Sequence, residues 1–444
     1  MAVSGKQIEM SCYNTFILFV AAWMFVFIGN PCTVLAQLYR QPARIPLQPF
    51  QPNPSPSLQL SRPAPNVLPN MRSGSAANAS ENAGRISSET DSLNIPNRNS
   101  RSPSNALASL SRPDSLQRLM PQMFADSPAA PLSVVINDGL IATTDLPLAG
   151  GARRMKVASN NRALPQDRVI LQFQDFVNAY TADASQFIVG PASRTIDLNL
   201  YTLGFEKTFL DGNASLDVRM PFANQLELAT PNFGVEGGTI GNLNAKLKLA
   251  LISEQNYCFS VGSGFEVPTG SSVSFQGNGI PYIVNNDAFF IQPFLAYEER
   301  LNTWFFNAFA STDIAMNGNR FRVDLIGQPV LGRINDQILG VASVGGGKWL
   351  FFDSESKRLH GFALLSELHY TTTLQDSDAV SDLFIFQLAT VSNVANRSDH
   401  LNLTIGGHLA LGLTSLRFGY VQPLRNGDDQ LFDHEFNVQF NRLF

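Results

Sequence analysis

From Gln166 to its C-terminus the chain alternates apolar and polar residues with a period of two, interrupted at intervals by turn-forming residues. That period marks strands with one apolar and one wet face. In residues 214–222, Leu216, Val218, Met220 and Phe222 share one side, and Ser215, Asp217 and Arg219 the other. Leu243, Ala245, Leu247, Leu249 and Leu251 oppose Asn244, Lys246 and Lys248, and Tyr257, Phe259, Val261 and Phe265 oppose Cys258, Ser260, Gly262, Gly264 and Glu266. The pattern predicts strands over residues 167–180, 195–210, 214–222, 243–251, 257–266, 289–299, 303–314, 339–352, 358–372, 400–411, 415–424 and 432–444. Asp211-Gly212-Asn213 is strong hairpin chemistry. Residues 268–287 and 373–399 read as long loops. Residues 315–338 read as a large loop with its own small hairpin, in which Phe321, Val323 and Leu325 alternate with Arg320, Arg322 and Asp324. Short turns therefore alternate with long loops, and about twelve strands, an even number, bring both ends of this region to the short-turn side.

The closing segment carries the same alternation to the last residue. Phe436, Val438, Phe440 and Phe444 lie on one face, Glu435, Asn437, Gln439 and Asn441 on the other, with Arg442 interrupting the apolar series. This ending resembles the C-terminal strand of bacterial outer-membrane β-barrels. The resemblance implies that Phe436, Val438, Phe440 and Phe444 are read by the barrel-assembly machinery. A narrower likeness to signal-peptide-bearing, barrel-like proteins of planctomycete bacteria rests on Gly204–Gly212, on Phe222 after Met220-Pro221 and on Gly419–Leu424. It covers roughly residues 150–444 and implies fold and location without an activity. The expected fold is thus all-β: an antiparallel transmembrane β-barrel of about twelve strands over residues 166–444.

Composition fits this expectation. Charged residues are 15% of 444, Phe numbers 33 and Gly 32. After residue 30 no run approaches the roughly 18–20 apolar residues of a membrane-spanning helix. Residues 1–36 read as an export signal: Lys6, an apolar run over 16–28, then Pro31 and Val34-Leu35-Ala36. Residues 37–131 are rich in Pro, Ser and Asn, with nine Arg and no Lys against five acidic residues. Too few apolar residues are present there to offset ordering entropy, so the segment is expected to be a disordered periplasmic linker. It reads either as a solvated spacer or as a tether touching anionic cell-wall polymer. Residues 132–165 read as a lead-in to the barrel or as a short plug within it; the pattern does not choose. The net charge of −5 excludes a nucleic-acid role. Cys12, Cys32 and Cys258 supply neither a disulfide framework nor a CxxC metal site.

The five histidines occur without HExxH or paired-His spacing, and no GxSxG is present. The size and strand number resemble those of barrel-borne lipid hydrolases, but that family's H-x-S-N-G motif is absent: His408 is followed by Leu409-Ala410-Leu411. No enzyme activity and no cofactor are expected. The polar face instead supplies Asp217, Arg219, Lys246, Lys248, Glu266, Glu298, Asn307, Glu367, His369, His408, Arg417, Glu435, Asn437 and Gln439 as expected lumen-lining groups. Both signs are present. They read as a paired network filling a closed barrel, or as the wall of a slim wet pore. The favoured expectation is a porin-like channel passing small polar solutes through the outer membrane, with lipid around it. The alternatives are a structural barrel tethering membrane to cell wall through the N-terminal arm, and an autotransporter-like secretion barrel.

Overall fold

The computed structural model describes residues 120–444, apart from residues 127–129, 138–141, 152–153, 185–192, 225, 231–232, 238, 278, 326–329, 354–355, 357–358, 385–386 and 394–396. The expected export signal, and the expected linker as far as residue 119, lie outside the described residues.

Strands β1 (Leu132–Ile136) and β2 (Ala142–Leu146) pair with each other ahead of the barrel wall. The wall begins with β3 (Arg168–Ala184), β4 (Ser193–Phe209) and β5 (Ala214–Ala223). A hairpin, β6 (Leu226–Thr230) and β7 (Phe233–Gly237), precedes wall strands β8 (Leu243–Ser253) and β9 (Tyr257–Val267). A second hairpin, β10 (Val273–Gly277) and β11 (Ile280–Val284), precedes β12 (Phe290–Leu301) and β13 (Trp304–Ala315). A third, β14 (Asn319–Val323) and β15 (Val330–Ile334), precedes β16 (Ile338–Phe352) and β17 (Gly361–Gln375). A fourth, β18 (Val380–Phe384) and β19 (Gln387–Ser392), precedes β20 (Asp399–Leu411), β21 (Thr414–Pro423) and β22 (His434–Leu443).

The twelve wall strands are β3, β4, β5, β8, β9, β12, β13, β16, β17, β20, β21 and β22, each antiparallel to its neighbours. The cylinder closes where β22 meets β3, from Leu443↔Arg168 to His434↔Val177. The chain is therefore an all-β, closed, twelve-stranded antiparallel barrel, as the alternation predicts. At one end the strands are joined by short turns. In the β4–β5 turn Leu210, Asp211 and Gly212 all take positive φ, which Gly212 accommodates without a Cβ.

Alternation along the wall separates two surfaces. Outward-facing Leu203 and Ile405 are 50% and 60% exposed, and Phe205, Leu171, Leu364, Phe418 and Phe436 are exposed with them. Among the described residues, these rows do not pack against a second layer of protein. At the short-turn rim Lys348 lies 5.2 Å from the Trp304 ring centroid, and Lys207 the same distance from that of Phe444. Aromatic side chains beside cations are the expected composition of a barrel rim at a membrane interface.

At the long-loop end the structure departs from the sequence expectation. Only the hairpin at 315–338 was expected; four other segments, two of them read as loops, also form hairpins. They build two leaves. β6, β7, β10, β11, β14 and β15 form one six-stranded sheet. β18, β19, β1 and β2 extend the wall sheet from the far end of β3, through Ala142↔Ala184 to Thr144↔Ala182. The leaves enclose an apolar core that includes Leu132, Val134, Tyr180, Leu226, Val273, Tyr282, Phe321 and Val391. Phe275, Tyr282 and Phe321 stack there with centroids 5.0–6.1 Å apart. Five-residue strands gain stability by burying one face against a partner, which these leaves supply. β15 and β18 meet without a ladder: the Asp378 amide donates to the Asn335 carbonyl oxygen (2.9 Å), and the Asn335 side chain to the Asp378 carboxylate (2.7 Å).

One ion pair outside the wall strands gives this end a pH dependence. Arg320 clamps Asp287 through Nε–Oδ2 at 2.6 Å and Nη2–Oδ1 at 2.9 Å. Hydrogen bonds from Arg320 hold the Asp287 carboxyl below its ordinary value of 3.8, against partial desolvation. The clamp's contribution is therefore full above that value and is lost as pH falls through the depressed one. Amide exchange in residues 284–290 and 319–323 is expected to accelerate on acidification in the wild type. In Asp287→Asn it is expected to be already fast, with that pH step missing; an unchanged step in the variant contradicts the assignment.

Candidate functional site

The interior between the short-turn end and the apolar leaves is polar. All fourteen residues expected to face inward are buried there: Asp217, Arg219, Lys246, Lys248, Glu266, Glu298, Asn307, Glu367, His369, His408, Arg417, Glu435, Asn437 and Gln439. They do not border open water. The space is filled by the chain itself, in two passes of extended, turn-containing backbone, residues 120–126 and 154–166.

The path of the chain follows from its contacts. Met120 lies at the short-turn end, beside Leu413, Thr414 and Leu443. The first pass leads to β1 and β2 at the opposite end. The second returns and ends at Asp167, whose carbonyl oxygen accepts from the Phe444 amide (3.2 Å) at the short-turn rim. Residues 120–126, expected in the disordered linker, are thus inside the barrel, because wall side chains satisfy their backbone groups. Residues 132–165, left open between lead-in and plug, divide into a hairpin at the long-loop end and a plug over 154–165.

The wall grips the backbone of both passes. Glu367 Oε2 accepts from the Phe124 amide (2.8 Å), and Asn307 Nδ2 donates to the Pro121 carbonyl (3.0 Å). Lys248 Nζ donates to the Arg162 carbonyl (2.8 Å). Arg219 donates to the carbonyls of Ser159 (2.5 Å) and Asn160 (2.9 Å). Arg168 donates to the Asn160 carbonyl (2.8 Å), and Glu298 accepts from the Ala163 amide (3.1 Å). The passes also join each other through the Met123 amide and the Asn161 carbonyl (2.8 Å). Buried backbone groups need partners, and here the wall provides them in place of a ladder.

Charges on the plug meet charges on the wall. Arg162 forms a two-pronged pair with Glu298, Nε–Oε2 at 2.9 Å and Nη2–Oε1 at 2.5 Å. Arg154 lies 3.8 Å from Asp313 and 3.5 Å from Asp336. Asp126 is bonded to Lys156 and to Asn402. Within the wall, Glu206 joins Arg168 (2.8 Å) and Lys248 (3.0 Å), and Asp217 joins Arg219 (2.5 Å). Buried charges must be paired to be tolerated, and these are.

The fourteen expected residues fall into separate groups. Asp217, Arg219 and Lys248 lie together around Glu206 and Arg168, with Lys246 in register opposite Asp217. Glu367, His369, Arg417 and Gln439 form a second group: His369 is 3.1 Å and Arg417 3.6 Å from Glu367, and Arg417 donates to Gln439 (2.6 Å). Asn437 donates to Glu435 (2.9 Å), and Glu266 accepts from Asn242 (2.9 Å). His408 stands edge-on to Trp349 with centroids 5.4 Å apart. Glu206, Arg168 and Asp313 were not among the expected inward residues, and neither were the individual plug side chains, although a plug within 132–165 was one of the two expected readings. Glu206 and Arg168 sit on the polar phase of their strands, so period two could have found them. The plug's signal was its cations: Arg154 and Arg162 meet acids of the barrel, and Lys156 meets Asp126 of the first pass. Among the described residues, no three or more His, Cys, Asp or Glu side chains group so as to hold a metal ion.

No protein-family model matches this sequence, and no curated protein matches it. Three solved structures with a similar fold illustrate the resemblance. An outer membrane channel from Pseudomonas putida F1 has 12% identity and a TM-score of 0.38, over 66% of this chain and 100% of that one. The translocator domain of the autotransporter NalP from Neisseria meningitidis also has 12% identity and a TM-score of 0.38, over 63% and 89%. The Pseudomonas putida toluene transporter TodX has 12% identity and a TM-score of 0.34, over 73% and 95%. The barrel assignment itself rests on the closed ring of strand pairs.

Proposed function

We propose that the chain is an outer-membrane barrel channel for small polar solutes, non-enzymatic, and held shut at rest by residues 120–126 and 154–166 in the lumen and by the leaves at the long-loop end. The observation that carries this reading is the chemistry of the plug–wall contact. Beside two small apolar clusters around Met123 and Phe124, hydrogen bonds and ion pairs join the two surfaces, and water can replace each of these polar contacts if the plug moves. A displaced plug would uncover a mixed-charge wall, including Glu298, Glu367, Lys248 and Arg219. The exposed apolar outer rows support lipid as the surrounding solvent, and the outward Phe436, Val438 and Phe444 support reading by the barrel-assembly machinery.

An even number of passes returns the chain to the side it came from. This favours an N-terminal arm on the periplasmic side, where its arginines can meet anionic cell-wall polymer, and disfavours the autotransporter-like alternative. The tethering alternative keeps one observation in its favour: the apolar core between the leaves closes the long-loop end.

Planar-bilayer recording decides between channel and tether. Wild-type protein is expected to be silent or to flicker. The full-length variant Arg154→Ala/Lys156→Ala/Arg162→Ala is expected to give steady single-channel steps. These should prefer cations, because Glu298, Asp313 and Asp336 lose their partners. Silence from both proteins, each folded, would leave the tether.

A further inference from the structure

The first pass is fastened at one residue more than at any other. Phe124 is fully buried, and its ring occupies a gap in the wall opposite two paired glycines, Gly406↔Gly419. A methyl group on Gly406 would stand 2.6 Å from Cε2 of that ring, and one on Gly419 3.0 Å from Cε1. Any larger residue at either position would therefore evict the ring. The Arg417 guanidinium carbon lies 4.0 Å from the ring centroid, the distance of a face contact. Arg417 is itself fully buried, and its Nε and Nη2 have no hydrogen-bond partner. In such a dry site the attraction between a cation and an aromatic face is at its strongest. The backbone on both sides of the ring is held as well, the amide by Glu367 (2.8 Å) and the carbonyl by Gln439 (3.4 Å).

We propose that Gly406, Gly419 and Arg417 form a binding site for one planar aromatic ring of benzene size, filled in cis by Phe124, and that filling it latches the plug in the barrel. The latch deepens the plugged-channel reading. The ring site stands apart from conductance, because its occupancy can be read without current. Cys258 provides the readout: it is fully buried in a cluster with Met123 of the first pass.

The test uses full-length protein, with iodoacetamide alkylation of Cys258 located by mass spectrometry and bilayer recording in parallel. In Phe124→Ala, Cys258 is expected to react on the order of a hundredfold faster than in the wild type. Saturating benzene is expected to restore slow labelling, and cyclohexane, similar in size but without a π face, to leave it fast. Gly406→Val keeps Phe124 but blocks its seat. It should label fast in the presence or absence of benzene while still giving the folded band on an unheated gel. Wild-type labelling in Phe124→Ala would overturn the latch, and equal protection by cyclohexane would overturn the aromatic site. Fast labelling reversed by benzene, with both bilayers silent, would retain the ring site and remove the channel.

Discussion

Arg162→Ala is expected to destabilise the folded barrel by about 3–5 kcal/mol, the cost of leaving one member of a buried ion pair uncompensated. Glu298 is then stranded, since both oxygens of its carboxylate are engaged by Arg162 and the remaining contact is the Ala163 amide. The size of the loss reports on the plug. If the inner segment stays in place, Glu298 remains dry and the full penalty appears. If the segment leaves, water reaches Glu298 and the penalty shrinks while accessibility rises. Replacing both partners by apolar residues, Arg162→Met/Glu298→Leu, is expected to recover most of the loss, because desolvation of the two ions is removed together. Guanidinium unfolding in detergent, followed by tryptophan fluorescence, measures all three proteins. A single variant as stable as the wild type, with Cys258 still protected, would contradict a buried, paired Arg162.

Leu203→Arg tests the opposite face and should fail only where lipid is present. Leu203 lies in the middle of β4, 50% exposed, between outward-facing Tyr201 and Phe205. An arginine at the midplane of a membrane barrel costs about 2–4 kcal/mol. Refolding into lipid vesicles, read as the fraction of the compact band on an unheated gel, is expected to fall sharply for the variant. In detergent micelles, which deform around a charge, the same variant is expected to fold nearly as well as the wild type. Equal refolding in both would mean that the Leu203 row does not face acyl chains.

These two sites show what the sequence makes legible. A wall strand repeats its alternation over ten or more residues, so the side on which Leu203 or Glu298 falls follows from period two. That is why the polar phase of each wall strand could be named, and why the strand count came from turn spacing. The leaf strands offer no such redundancy. β7 reads Phe-Gly-Val-Glu-Gly and β10 Val-Ser-Phe-Gln-Gly, two apolar positions each, which a loop also supplies. Their strand character comes from the opposite leaf. β14 was readable because Phe321 and Val323 alternate with arginines, whose side chains stay outside the core.

The plug was the least visible element, for a related reason. Residues 120–126 have neither helical nor strand periodicity, and their order comes from partners as remote in sequence as Glu367 and Gln439. Local composition therefore placed them with the linker. The clue lay in a balance across the chain: a run with Arg154, Lys156 and Arg162 just ahead of a wall carrying unmatched acids. Phe124 was hidden more completely, since its seat is defined by the side chains that Gly406 and Gly419 lack.

The two passes through the lumen also constrain the order in which the molecule can be made. A finished cylinder cannot admit a folded excursion whose tip is already hydrogen-bonded, through β1 and β2, to β19 and β3. The inner segment must be in place while the sheet is still open, and its cations and backbone groups then act as a mould round which the strands curl. The ring closes where β22 pairs with β3, so the seam of the barrel is also the rivet that keeps the inner segment inside.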